Sequence, residues 1–476
     1  MRQTAILLHS AALRWGSMAL IIALIGLLGI VGLVAWNAPD LTLFLPVVLL
    51  ALSAGVFLFA RPRLNFILWL GGLATLFSSE VGIQAHEAVY GLYFYGYLLH
   101  WYGRRIFLYK SRFVRGVEDH AALLLLVFGL LGGIALGLLF DAKLMDMRGE
   151  VLSFSMLALY FPVKEFVVRE KNGPLIVLAL IVWIGLFVTV NNALYTRHQF
   201  VEATALWQVA DVRIAGRELI LTFAAILLVS VLAVVRTRMA VIGVLTMLVT
   251  LLAGLVLTKS RSFWVAFLIG GFVLLLLHPA AARRRLLVRS VFALLTLLAA
   301  ASIAMGPYFT LLLHGVVDRF LTLGAAGTDI SLLNRFVESD AVRAHTIANP
   351  ILGYGFGTEY SFYSVAIHAT LVKSYIHHGY LAVWYKFGLW GVMLWSVFLL
   401  RSAWCALQAA RKSQHPIHRA IMFGVVACFL ALPLPAYTHS VFLEGEKLSA
   451  LALVAALGCG LYQRQRLMRE GECTGG

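Results

Sequence analysis

Apolar runs of bilayer length follow one another along most of this 476-residue chain. No other feature limits its fold so tightly. A helix crosses a hydrocarbon core with roughly 20 apolar residues, and about 17 is the lower bound. With that window, spans are expected at 17–36, 41–60, 64–79, 86–103, 119–140, 150–163, 174–190, 218–235, 239–257, 263–278, 287–305, 380–400, 419–437 and 447–463. That is about 14 spans by the same length criterion. The segment 86–103 carries His86, Glu87 and many tyrosines, and 150–163 is short and ends near Pro162 and Lys164. A chain that is 61% hydrophobic and 13% charged cannot hide its apolar surface in a soluble core, so the bilayer is its solvent. The expected fold is all-α: a polytopic membrane bundle of about 12–14 transmembrane helices.

The net charge of +16 would suggest a nucleic-acid partner in a soluble protein. Here it has another explanation. With Arg2 and Arg14 placed inside and the spans alternated, the basic clusters all fall in inner loops. These are Arg61/Arg63, the run 104–115, Lys164/Arg169/Lys171, Arg236/Arg238, 282–289, Arg401 to Arg419 and the tail. A wrong span count would scatter them across both faces. The basic balance therefore reports topology, with both termini cytoplasmic, and excludes nucleic acid as a partner. The first apolar run is too long for a signal-peptide core and lacks a small-x-small cleavage site before Trp36, so it is read as a retained helix. Cys405, Cys428, Cys459 and Cys473 avoid the outer loops and show no CxxC spacing, so neither a structural disulfide nor a metal site is expected.

The chain divides into N-terminal helices 1–211, core helices 212–305, a long outer loop 306–379, and C-terminal helices with a tail, 380–476. Within the loop, 331–348 places Leu332, Leu333, Phe336, Val337, Ala341 and Ala344 at helical spacing, which predicts an amphipathic helix. The run NPILGYGFG (349–357) follows. Gly353, Gly355 and Gly357 permit φ > 0 and close backbone approach. It is no phosphate-binding Walker loop, since no Lys-Ser/Thr follows. Taken alone, it is an ordinary turn. The loop ends in His377-His378-Gly379-Tyr380, at the mouth of an apolar helix.

Three outer sites bring basic or titratable side chains to membrane depth: Arg213 with Arg217, Lys259 with Arg261, and His377 with His378. A lone cation at a helix end is usually an anchor that snorkels to the interface. Lys259 and Arg261 are different. They share a turn too short for a solvent loop, on the face where positive charge is disfavoured, and Thr258, Ser260 and Ser262 are neutral donors beside them. Such a turn suits a diphosphate, because guanidinium pairs with phosphate oxygens and ammonium adds a point charge. A histidine at the loop's end can take a proton from a hydroxyl or donate to a phosphate oxygen. His198, His314, His345, His368 and His439 read as loop residues without metal-ligand spacing. Tyr354, Tyr360, Tyr363 and Tyr380 could stack on a ligand, but interfacial aromatics need none. Asp211, Asp329, Glu338, Asp340, Glu359, Glu444 and Glu446 are the candidate bases, and the sequence selects none of them.

In order, these pieces resemble the O-antigen ligase/polymerase superfamily of bacterial membrane glycosyltransferases. LTKSRSFWVAFL (257–268) is similar to its Ser-Arg turn and helix, NPILGYGFG to its Asn-Pro-x-x-Gly-x-Gly element, and HHGYLAVWYKFGLWGVMLW (377–395) to its His-Asn/Ser-x-Tyr-Leu element with a Gly-Leu-x-Gly helix. VRIAGRELILTFA (212–224) resembles the arginine-bearing segment upstream. The likeness covers roughly 212–395; the N-terminal helices match only by hydropathy.

The resemblance implies a GT-C-like bundle in the bacterial inner membrane, with the loop periplasmic. It implies an undecaprenyl-diphosphate-linked glycan as donor and a glycan or the lipid A core as acceptor. Membrane lipids surround the chain, other polysaccharide-assembly proteins are candidate partners, and no metal or cofactor is implied. Carried over by position, Arg261 matches the Ser-Arg arginine, His377 the loop histidine, and Arg213 the upstream arginine with Arg217 as rival. Lys259, His378, Tyr380 and Gly355 are then expected at the substrate. His378 stands where the family has Asn or Ser, so the choice between the two histidines stays open. About 14 spans and a moderate loop favour a polymerase that joins repeat units, over a ligase that moves finished glycan to lipid A core. A flippase is the alternative from another class. It would carry internal repeats and charges near the midplane, and neither occurs here.

Overall fold

The computed structural model describes residues 61–76, 85–108, 113–202, 217–306, 310, 314, 317 and 330–470. Spans 17–36 and 41–60, and with them Arg213, Asp211 and Asp329, lie outside the described residues. Contacts divide the chain into units 1–70 and 71–476. In the first, the described residues open the helix Pro62–Gly71. All elements from Gly72 onward belong to the second.

Every expected span on described residues coincides with helix, and this is an all-α polytopic membrane protein. Among the described residues eight segments are long and apolar enough to cross a membrane: Val117–Leu139, Leu144–Arg169, Gly173–Tyr195, Arg238–Leu257, Ala280–Ile303, Gly379–Lys412, Pro416–Thr438 and Gly445–Arg469. Glu218–Leu232 and Arg261–Leu277 are shorter apolar helices. The segment read as a short span at 150–163 belongs to a helix that starts at Leu144. Asp146, Arg148 and Glu150 lie in its opening turns, and their charge hid the start. The arginines 283–285 hid the start of Ala280–Met305 in the same way.

Glu218–Leu232 is buried along its whole length. It packs against Pro416–Ala431 and, with Gly445–Arg469, forms the interior. The last of these is dense in Ala and Gly. A Cβ on Gly424 would lie 2.9 Å from Leu227 and one on Gly458 2.9 Å from Val425. Small residues let helix backbones approach where no hydrophobic effect drives them together. Ala280–Met305 instead leaves Val288, Val291, Phe292, Leu295 and Ile303 exposed, as a lipid-facing helix does.

The arginine clusters gather at one end of the bundle and bind carbonyls there. Arg289 Nη1 donates to Val235 O at 2.9 Å and Arg285 Nε to Ala233 O at 3.2 Å. Arg464 reaches Glu170 O at 2.6 Å and Lys171 O at 2.9 Å. Cations on helix C-terminal carbonyls meet the negative end of the macrodipole.

The opposite end collects four turns: residue 217, 258–260, the loop before Gly379, and 439–444. They touch. Arg335 Nη1 donates to Thr438 O at 3.0 Å, Ser262 Oγ meets His439 Nδ1 at 3.3 Å, and Tyr375 OH donates to Glu444 Oε1 at 2.9 Å. Here the loop contains helix Ile330–Ala348 and an antiparallel hairpin, Tyr360–Ser364 with Ala369–Lys373, in register Tyr360↔Lys373. The expected amphipathic helix is present, but its buried face differs from the apolar stripe. Glu338, Val342 and Thr346 are buried, whereas Leu333 and Phe336 are exposed.

Gly379–Lys412 has 34 residues, about 51 Å at 1.5 Å per residue, well beyond a hydrocarbon core of about 30 Å. It is broken at Gly388 (φ 63°, ψ −162°). The glycine run fills the break. Tyr354 N–H donates to Tyr385 O and Gly355 N–H to Lys386 O, each at 2.8 Å, while Leu389 N–H donates to Pro350 O at 2.9 Å. Backbone groups freed by the break are thus satisfied from the loop, as a low-dielectric setting requires.

Candidate functional site

The loop helix, the turn before Gly379 and the end of Pro416–Thr438 meet in a small, shallow cleft. Leu332, Arg335, Phe336, Ser339, His377, His378, Tyr437 and Thr438 line it. Behind its wall, His377 is paired with a buried carboxylate, Glu338, that the sequence alone did not select. His377 Nδ1 lies 2.7 Å from Glu338 Oε2, and the His377 backbone N–H donates to Glu338 Oε1 at 3.0 Å. Tyr360 OH also donates to Glu338 Oε1 at 2.7 Å and lies 2.8 Å from Tyr375 O. The hairpin supplies Tyr360 and the loop helix supplies Glu338, so the cluster draws on both elements.

Electrostatics agree with that geometry. Burial alone would raise the Glu338 pKa. The hydrogen bonds and charge of His377, with the Tyr360 hydroxyl, outweigh it and hold the carboxyl below its ordinary value. A carboxylate that accepts several hydrogen bonds is stabilised in its charged form. Burial first, then the Glu338 charge, push the Tyr360 phenol far up, so it remains a donor. Tyr375 walls His377 edge-on at a centroid distance of 4.9 Å.

His378 is the N-cap of Gly379–Lys412, and its Nδ1 accepts from Leu381 N–H at 3.3 Å. Its ring packs against Tyr437 at 4.5 Å and Tyr380 at 5.9 Å. Burial lowers its pKa, with Arg343 adding to the effect and its own backbone hydrogen bond opposing it.

The Ser-Arg turn joins this cleft through His439. That histidine, read from sequence as a loop residue, is buried. It lies against Phe263 at 4.9 Å, and its Nδ1 is 2.9 Å from Thr438 Oγ1. Lys259 is buried with φ 50°, and Arg261, half-buried, opens the helix Arg261–Leu277. Cations at a helix N-terminus add to the positive end of its dipole, a favourable setting for an anion. Of the expected neutral donors, Thr258 spends its hydroxyl on Leu255 O at 2.7 Å, while the Ser262 hydroxyl faces His439.

Arg217 occupies a neighbouring cluster. It is buried, has φ 72°, and its N–H donates to Glu446 Oε2 at 2.7 Å. Burial lowers its pKa against the pull of Glu446, Glu87 and Glu218. Tyr375 links this cluster to His377 through Glu444. Tyr380 is exposed beside the cleft, its ring on Phe442 at 5.6 Å.

Gly355 sits elsewhere. It has φ +79°, and a Cβ there would lie 2.1 Å from Gly137 N. The run around it is clamped by an ion pair that sequence reading missed. Lys386, fully buried, contacts Glu150 Oε1 at 2.9 Å and Thr358 O at 3.1 Å, while Glu150 Oε2 accepts from Gly357 N–H at 2.9 Å. No cluster of three or more metal-ligating side chains occurs among the described residues.

The structure thus brings His377, His378 and Tyr380 together with the missed Glu338 and Arg335. No local signal selects Glu338, because the face it shares with Val342 and Thr346 is buried while Leu333 and Phe336 of the apolar stripe are exposed. Residues 246–396 match the family described as O-antigen ligase. No curated protein matches the chain.

Proposed function

From the match of residues 246–396 to the O-antigen ligase family, we propose that this multi-pass membrane protein is a glycosyltransferase of the O-antigen ligase/polymerase superfamily using an undecaprenyl-diphosphate-linked glycan. It works at the periplasmic face of a bacterial inner membrane, with both termini cytoplasmic. The observation that carries the mechanism is the 2.7 Å contact between His377 Nδ1 and the Glu338 carboxylate. It leaves Nε2 of His377 as the ring's free nitrogen, oriented by a buried anion, in the manner of a general base.

In the proposed step an acceptor hydroxyl gives its proton to His377 Nε2. The oxygen bonds to the anomeric carbon, and the bond from that carbon to the diphosphate oxygen breaks. The electron pair leaves with the diphosphate. Negative charge develops on the leaving group, so fixed cations stabilise the transition state. Arg261 and Arg213 hold the diphosphate in this reading, Lys259 and Arg217 add positive potential, and no metal is needed. The number of spans and the moderate loop support a polymerase of O-antigen or exopolysaccharide repeat units. The family's description as O-antigen ligase supports the second reading, transfer to lipid A core.

The test is purified protein with a defined lipid-linked repeat unit, followed by analysis of what the unit is joined to. Arg261→Ala and His377→Ala should each reduce product by roughly 10²–10⁴-fold at unchanged membrane abundance. Normal product from either variant removes that residue from the mechanism, and glycan crossing liposomes without a new bond points to a flippase. In a deletion strain, single repeat units on the acceptor indicate a polymerase. Full-length polymer stranded on the carrier lipid indicates a ligase.

A further inference from the structure

The two adjacent histidines are in opposite tautomeric states. A backbone amide can only donate, so His378 Nδ1, which accepts from Leu381 N–H, carries no proton. The neutral ring then bears its proton on Nε2. Protonation of Nδ1 would break the cap. Glu338 is an ionised carboxylate that accepts from the His377 N–H and from Tyr360. The His377 Nδ1 facing it must therefore donate, and a neutral His377 has its lone pair on Nε2. These assignments follow from the hydrogen-bond network. Neither Nε2 has a protein partner among the described residues, and both rings line the cleft.

A lone pair and an N–H lining one cleft fit a ligand that offers a proton and an acceptor on nearby atoms. Adjacent hydroxyls of a sugar ring do this. A diphosphate oxygen does not, because it has no proton for His377. The geometry points to His378 as a specificity residue: its Nε2–H holds the acceptor-sugar oxygen next to the attacking hydroxyl and so fixes which hydroxyl attacks. This rests on the glycosyltransferase reading above. Burial, which keeps His378 neutral, suits an uncharged oxygen, and the Tyr437 and Tyr380 rings hold the imidazole in place.

The test uses full-length protein in nanodiscs, with lipid-linked glycan extracted from producing membranes as donor. The acceptor is a lipid-free repeat unit cleaved from that glycan, or lipid A core if the unaltered protein uses that. His378→Asn keeps the cap and a donor. His378→Asp keeps the cap but only accepts. His378→Ser caps but ends short of the cleft. Asp and Ser should raise the acceptor KM about tenfold with the donor KM unmoved, and the product should acquire a second linkage. Asn should lose only about two- to threefold. The inference is overturned if Asp matches Asn, or if the donor KM moves instead, which would place His378 on the diphosphate. Should Asp fail to fold, Ser decides, since wild-type linkage and KM from Ser would be equally fatal. No transfer product from the unaltered protein with this donor and acceptor counts against the glycosyltransferase reading itself. Asp equal to Asn beside an inactive His377→Ala removes only the role of His378.

Discussion

The glycine run 349–357 and the histidine pair 377–378 lie on one stretch of loop, yet the protein uses them in opposite ways. In the glycine run the polar backbone is spent inside the protein. Tyr354, Gly355, Phe356 and Gly357 all donate to groups on other elements. In the histidine pair each ring commits one nitrogen to the protein and keeps the other at a cleft. On the proposed reading, the closed hydrogen-bond inventory is scaffolding and the open one serves chemistry. Glycine-rich loops are easily read as ligand cradles, but here the close approach is to helix backbone.

That contrast can be broken by experiment. The largest effect is expected on the scaffold side. Lys386→Met leaves Glu150 without its buried partner and should cost about 3–5 kcal/mol, seen as a lower Tm of the detergent-solubilised protein. Lys386→Met with Glu150→Gln should lose less, because no buried charge is orphaned. Gly355→Ala combines a positive φ with a backbone clash and should cost about 3 kcal/mol by the same measurement. If either variant kept wild-type Tm but lost binding of the lipid-linked donor, the glycine run would be a ligand loop after all.

On the chemical side, Glu338→Gln should lower kcat about 10–100-fold with little change in KM, since the amide holds His377 less well and offers it no charge. Its pH behaviour adds a second check. The Glu338 pKa is depressed in the folded protein. Its contribution to stability is therefore complete above the unfolded carboxylate pKa of about 4.3 and is lost as pH falls through the lower folded value. Thermal unfolding of the parent should weaken with acidification over that window, and the Gln variant should show a flatter profile. Tyr360→Phe removes one hydrogen bond to Glu338 and should cost about 1 kcal/mol, roughly fivefold in kcat. An effect as large as that of Glu338→Gln would make Tyr360 more than a support.

The same contrast explains what was legible in the sequence. Bilayer-length runs, the basic clusters at one end and the loop helix all arise from local pattern, and each has its counterpart in the structure. Glu338 could not be chosen among the carboxylates because its partners come from residues 360 and 377, and the hairpin register decides that meeting. The break at Gly388 was invisible for a related reason. Its glycine looks like any small residue in an apolar helix until the loop that occupies the gap is known. His439 read as a loop residue because its neighbours, Phe263 and Ser262, lie far away in sequence.

The splice between the glycine run and the broken helix has a consequence for modularity. Tyr385 and Lys386 carbonyls are completed by loop amides, and Leu389 N–H by a loop carbonyl. Neither piece is a finished unit without the other. A chimera that exchanges the loop between related enzymes while keeping the host helix would leave mismatched backbone seams inside the protein. The smallest portable cassette that keeps the seam intact therefore runs from Asn349 past Leu389, and it carries both histidines with it. On the proposed role of His378, acceptor preference and helix geometry would be inherited together.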